Sequence, residues 1–199
     1  MNIKKAKLEM FMMSEQVWKD AERWQLSIQH GQVAMKMVKT LNLRLFVTEN
    51  RLNHAGSRRE LQNTEKQINS LYMRLQRPLT TMNKVLQTLT EIRDNTARML
   101  NRLTLWMDDD IVVKHMITPT LKASKLLVVL QFLSQRYDAE WEVKEVVVND
   151  LEHISNSYEL DLLMDGWGTC SHAGGQEFTM ILREYYKIVG RNQSLVINT

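Results

Sequence analysis

Cys170 and His172 stand two residues apart and are the chain's nearest thiol and imidazole. A histidine so placed could draw a proton from the thiol and make a nucleophile. No third group to orient the imidazole is evident, and the plainer reading is a loop cysteine beside a surface histidine. Asp108-Asp109-Asp110 groups three carboxylates, but consecutive helical residues point in different directions and no further oxygen ligands lie nearby. A solvated acidic turn is the expectation there. His30, His54, His115 and His153 are scattered singly, as surface or capping residues rather than as a metal set. The chain contains no phosphate-binding loop, nucleophile elbow, zincin motif or calcium-loop pattern. The residues therefore point to no catalytic centre, no cofactor and no metal.

Binding chemistry has more material. Residues 51–107 hold ten Lys+Arg against four Asp+Glu, among them Arg58-Arg59, Arg74, Arg77, Arg93, Arg98 and Arg102. Cations on a long helix could follow phosphates, but with no aromatic platform or nucleic-acid-reading motif, direct nucleic-acid binding is not the expectation. A solvated face or an acidic protein partner suits them better. The asymmetry extends over the chain: residues 1–107 carry 18 basic and 9 acidic side chains (+9), and residues 108–199 carry 8 and 14 (−6). The halves could match each other in antiparallel packing, or the basic half could meet an acidic partner. Thirteen methionines, with Met10, Met12 and Met13 clustered, suit either a core or an adaptable surface. Trp24, Trp106 and Trp141 sit on helical stripes. Trp167, between glycines in what reads as a loop at 165–168, is either a plug beneath the helices or an interface anchor.

The elements that must position these residues are helical. Of 199 residues 7 are Gly and 2 Pro, about 4.5% against roughly 12% in average usage, so a sandwich or barrel with many corners is excluded. Apolar residues make up 44% and charged ones 25%, enough for a core in one domain spanning 1–199. One cysteine excludes an internal disulfide framework and suits a reducing compartment. Glu9, Ser14, Glu15 and Gln16 interrupt any apolar run after the basic N-terminus, so a signal peptide is not expected. The longest apolar stretch, Leu126–Leu130, is too short to span a bilayer. Asn192-Gln193-Ser194 is a chance sequon on this reading.

A first helical block is expected at 8–52, with Val17, Ala21, Trp24, Ile28, Met35, Val38, Leu41 and Leu45 forming one buried stripe. Gly31 is a candidate break, and 53–57 reads as a turn. The second block, 61–107, follows a heptad. Leu61, Ile68, Leu75, Met82, Leu89, Thr96 and Leu103 fall at a, and Thr64, Leu71, Pro78, Val85, Ile92, Met99 and Trp106 at d. Unbroken, it would be about 69 Å long at ~1.5 Å per residue. Pro78 predicts a kink or short break. A third long helix is expected at 119–154, started by Thr118-Pro119 as cap and first turn, with Leu127, Val129, Phe132 and Val146 widening its buried face. A C-terminal helical region at 158–190 ends in a helix at 176–189. The fold class is all-α: an elongated helical bundle or coiled coil with three long helices and a short C-terminal helical region.

This order of features resembles the cyclin-dependent kinase 2-interacting protein family over roughly residues 20–186. The most specific stretch is Tyr137-x-x-Glu140-x-x-x-Lys144-x-x-Val147-x-x-x-Leu151-x-His153, followed by Trp167; Ala21 and Trp24 match the early helix, and Met180-Ile181-Leu182 the last. Trp24, Tyr137, Glu140, Lys144, Leu151, His153 and Trp167 are thus candidate interaction or family-pattern residues. Pro78 and the glycine-flanked Trp167 depart from the family's helical context. The resemblance implies a non-enzymatic nuclear adaptor with protein partners: cyclin-dependent kinase with cyclin, a Cdc-seven-type kinase at replication origins, the ATR-interacting checkpoint partner, and subunits of an AAA+ ATPase complex serving ribosome maturation and replisome turnover. Two other classes compete with it. The heptads and basic half also suit a coiled-coil subunit of a spindle or kinetochore assembly, and Cys170 a small enzyme.

Overall fold

The structure, a computed structural model, describes residues 3–191; the Asn192 sequon lies outside them. The described residues form six helices and no strand: α1 (Ile3–Leu52), α2 (Arg58–Trp106), α3 (Asp110–Val113), α4 (Ala123–Asp150), α5 (Ser157–Gly168) and α6 (Gln176–Ile188). The protein is all-α. No helix among the described residues is long and apolar enough to cross a membrane. Its packing divides the chain into two compact units. One gathers Met1–Ser27, Thr88–Glu142 and Cys170–Thr199, the other Ile28–Gln87 and Val143–Thr169. Residues of α1, α2 and α4 contribute to each.

All eight stripe residues expected in the first block are buried in α1, which is the 3.6-residue period acting over its length. The helix runs through Gly31 without the break the sequence suggested. It also runs past the expected start at residue 8. The helix α2 likewise continues through Pro78. Pro78 withholds one amide donor, at a cost of about 3 kcal/mol in a helix interior. It is buried, however, between Leu75, Leu79 and Met82, and burial of about 1.5–3 kcal/mol per large apolar side chain outweighs that cost.

The heptad seam divides at Leu75. From Leu75 to Leu103 all nine a and d positions are buried, whereas Leu61, Thr64, Ile68 and Leu71 are not. Polar Thr96 is accommodated at its a position because its hydroxyl donates to Ile92 O at 2.9 Å, leaving no orphan in the core.

Thr118-Pro119 does not start the third long helix. Thr118 Oγ1 instead accepts from the amides of Thr120 (3.4 Å) and Leu121 (3.1 Å), and an isolated bridge joins Met116 to Lys122. The hydroxyl caps a turn, and α4 begins only at Ala123. Its buried face is also narrower than expected, since Val146 is exposed and Leu127 and Phe132 are half-buried. In the acidic turn, Asp109 caps α3 by accepting from the Ile111 amide at 2.9 Å.

The expected loop at 165–168 is the end of α5. That helix starts at Asn156, whose Oδ1 accepts from the Glu159 amide at 2.9 Å, while Glu159 Oε2 reaches back to Ser155 N (2.8 Å) and Oγ (2.9 Å). These reciprocal bonds make a variant of the capping box. The backbone and hydroxyl of Ser155 hold the Glu159 carboxyl below its ordinary 4.5. A depressed acid stabilises the fold fully above the ordinary value and loses that contribution as pH falls through the lowered one. A side-chain carbon titration of Glu159 is expected to show a midpoint below 4.5; a midpoint at or above it contradicts the box. Asn156→Ala is expected to lower stability by about 1 kcal/mol in urea unfolding.

At the other end, two residues beyond α6, stands Gly190, the described glycine with left-handed φ, +67°. Arg191 N donates to Tyr186 O at 2.9 Å, a close that a side chain at 190 would strain.

Candidate functional site

Two buried clusters contain most of the family-pattern residues, one in each unit. In the first unit, Tyr137 of α4 stacks on Trp24 of α1 with ring centroids 4.3 Å apart, and Phe178 of α6 meets Tyr137 edge-on at 5.9 Å. Such pairs contribute about 0.5–1.5 kcal/mol beyond their burial. Among the described residues the buried Trp24 indole N–H and Tyr137 hydroxyl meet no hydrogen-bond partner, and the stacked rings are the contact that positions them. Burial pushes the Tyr137 hydroxyl well above its ordinary range, reinforced by Tyr186 and Asp20; it stays neutral. One turn along α4, Glu140 is fully buried, and its Oε2 accepts from the amides of His172 (2.9 Å) and Ala173 (3.0 Å). The carboxylate folds the segment before α6 onto α4.

His172 thus enters the structure through its backbone. Cys170 and its imidazole neighbour are both half-buried.

In the second unit, Lys144 of α4 is fully buried, and its Nζ donates to three carbonyls at the end of α5: Gly166 (3.0 Å), Trp167 (2.9 Å) and Thr169 (3.2 Å). A helix leaves its last carbonyls without intrahelical donors and carries partial negative charge there. One ammonium answers both demands. It also lies 5.5 Å from the Trp167 ring, within cation–π range. Trp167 itself is buried, donates from Nε1 to Ile28 O at 3.3 Å, and lies flat against α1 at Gly31. A Cβ on Gly31 would stand 2.0 Å from the Trp167 ring. Of the two readings of Trp167, the plug is the observed one, and Gly31 is the notch that admits it.

Of the seven candidate residues, Trp24, Tyr137, Glu140, Lys144, Leu151 and Trp167 are buried, and His153 is exposed. The structure brings Lys144 and Trp167 together and stacks Tyr137 on Trp24. Leu151 lies just past α4 and His153 in the turn after it. The six buried residues pack among the helices, whereas His153 is on the surface. The methionine cluster also splits, with Met10 and Met13 in the core and Met12 exposed.

The accessible chemistry lies elsewhere in the second unit, between α1 and the first turns of α2. Two adjoining depressions share Arg44 and Arg74 on their rims. One is completed by residues including Val47, Arg51 and Leu71, the other by residues including Lys36, Met37 and Arg77. Neither lining contains a carboxylate, and Lys36, Arg44, Arg51, Arg74 and Arg77 are exposed with no acidic partner among the described residues. Exposed apolar side chains accompany them: Val33, Met37, Leu43, Val47 and Met73. Arg93 and Arg102, farther along α2, are engaged. Arg93 lies over the Trp141 ring at 3.7 Å, and Arg102 pairs with Glu9 at 2.6 Å. The heptad made this groove's α2 side visible in the sequence, but its open state could be seen only once no third helix covered it.

No protein-family model and no curated protein sequence matches the chain.

Proposed function

We propose that this protein is a non-catalytic adaptor, similar to the cyclin-dependent kinase 2-interacting proteins. It would link cyclin-dependent and Cdc-seven-type kinases, the ATR-interacting checkpoint partner and AAA+ ATPase subunits in the nucleus. The reading draws on the stretch from Tyr137 to Trp167, whose buried members Tyr137, Glu140, Lys144, Leu151 and Trp167 serve as internal struts. A scaffold needs such struts, and its specificity then resides in what remains on the surface. The observation that carries the reading is the open end of the heptad: at coiled-coil spacing, Leu61 is exposed and Thr64, Ile68 and Leu71 are only half-buried. A seam only partly covered within the chain is suited to a partner's helix.

Purification of the endogenously tagged chain from native cells, followed by mass spectrometry, tests this. Stoichiometric recovery of cell-cycle kinases or AAA+ ATPase subunits is the expected result. Recovery of neither overturns the proposal, and localisation confined to spindles or kinetochores favours the structural coiled-coil class instead.

A further inference from the structure

The groove between α1 and the start of α2 is specific in its chemistry as well as open. Residues 28–87 carry ten Lys+Arg and three Asp+Glu, a balance of +7. Glu49 lies near the groove but is engaged by the Tyr72 hydroxyl at 3.1 Å. The floor is apolar, with Leu71 of the heptad and Leu41 and Leu43 of α1, and the rim is cationic, with Arg44, Arg74 and Arg77. This is the pattern of a coiled-coil seam flanked by charges of one sign.

We propose that the groove is the docking site for one amphipathic helix of a partner protein. That helix has an apolar stripe at heptad spacing and Asp or Glu on both flanks. The proposal rests on the adaptor reading and specifies the partner segment it needs. A second copy of this chain meeting the groove with its own groove is disfavoured as occupant because it would bring ten cations against ten, and like charges across an interface cost affinity. Nucleic acid would satisfy the arginines but leave Val47, Met37, Leu71 and Met73 facing phosphate and sugar. An acidic helix satisfies both the rim and the floor.

The test uses the full chain and synthetic three-heptad peptides with Leu at a and d. One set has Glu at e and g, one has Lys there, and one has Glu flanks with the leucines replaced by Ser. Binding is read by fluorescence anisotropy. The Glu-flanked leucine peptide is expected to bind, with an affinity that falls as salt rises. It should bind about tenfold more weakly to the Arg44→Gln/Arg74→Gln variant, and similarly to Leu71→Asp. All three positions lie outside the buried core, and unchanged helicity and melting of the variants confirm that folding is not the cause.

Equal binding of the Lys-flanked peptide, or undiminished binding by the double variant, overturns the proposal. So does tighter binding of a single-stranded oligonucleotide at the same arginines, or a homodimer abolished by Leu71→Asp. Co-purification separates the two levels. Variants that keep kinase or ATPase partners in cells while the chain fails to bind the acidic peptide refute the groove and leave the adaptor standing; failure of both refutes both.

Discussion

Lys144→Met is expected to lower the unfolding free energy by about 3 kcal/mol. The side chain it removes is fully buried and donates hydrogen bonds to the carbonyls of Gly166, Trp167 and Thr169. Methionine fills a similar volume, so the loss is polar rather than steric. Each buried acceptor left without a donor costs about 1–3 kcal/mol. Gly168 and Thr169 are exposed, so water reaches part of this helix end and the three costs do not add in full. Lys144→Arg keeps the charge but replaces a compact three-donor group by a planar fork, and is expected to recover only part of the loss. Urea unfolding gives the magnitude, and amide exchange locates it, with protection falling first along α5. A loss below about 1 kcal/mol would mean that the three carbonyls are not held by this ammonium.

The second large effect concerns Gly31 and has two opposing terms. In an exposed helix interior, Gly→Ala stabilises by about 1 kcal/mol. Here the added methyl would enter the Trp167 ring, 2.0 Å from its nearest carbon, and overpacking of that kind costs about 1–3 kcal/mol or more. The ring is rigid, buried and tied to Ile28 O, so it cannot yield as a flexible chain end would. Gly31→Ala is therefore expected to be destabilising by about 1–2 kcal/mol net. Trp167→Ala alone costs about 3–5 kcal/mol through the cavity it leaves. In that background the sign of Gly31→Ala reverses, because the clash is gone and helix propensity remains. A double-mutant cycle by thermal or urea unfolding reads the reversal; additive effects of the two substitutions would show that notch and plug do not meet.

The two positions also show what was legible in the sequence. Burial on α1 follows from periodicity, and all eight stripe residues are inside. Helix breaks did not follow, for one reason at both Gly31 and Pro78: propensity and donor count act locally, while burial against neighbouring helices decides whether a helix continues. Glycine at 31 serves a close approach rather than a turn, and the residue that needs it is 136 positions away. Thr118-Pro119 carries a valid capping signal that the chain uses for a turn, because the bridge from Met116 to Lys122 takes the backbone where a first helical turn would stand. Trp167 reads as a loop residue from its glycines, yet Asn156 and Glu159 start a helix that reaches Gly168. The pattern from Tyr137 to Trp167 does not reveal which of its residues face inward: Tyr137, Glu140, Lys144, Leu151 and Trp167 are buried and His153 is exposed. Burial of a lysine and a glutamate is settled by the backbone groups that meet them, and those are distant in sequence.

The bond from the Tyr185 hydroxyl to Ser14 O, 2.7 Å long, spans 171 residues, and it implies an order of events during synthesis. Met10, Val17 and other apolar residues of the first turns of α1 are buried in a unit whose other members are Thr88–Glu142 and Cys170–Thr199. While the ribosome is still making the middle of the chain, that stripe has emerged and has only part of its cover. Contacts of such sequence separation close slowly, and a nascent chain with an uncovered apolar helix is prone to aggregate. These turns of α1 thus leave the ribosome before the residues that cover them and gain their full native surroundings only when α6 arrives.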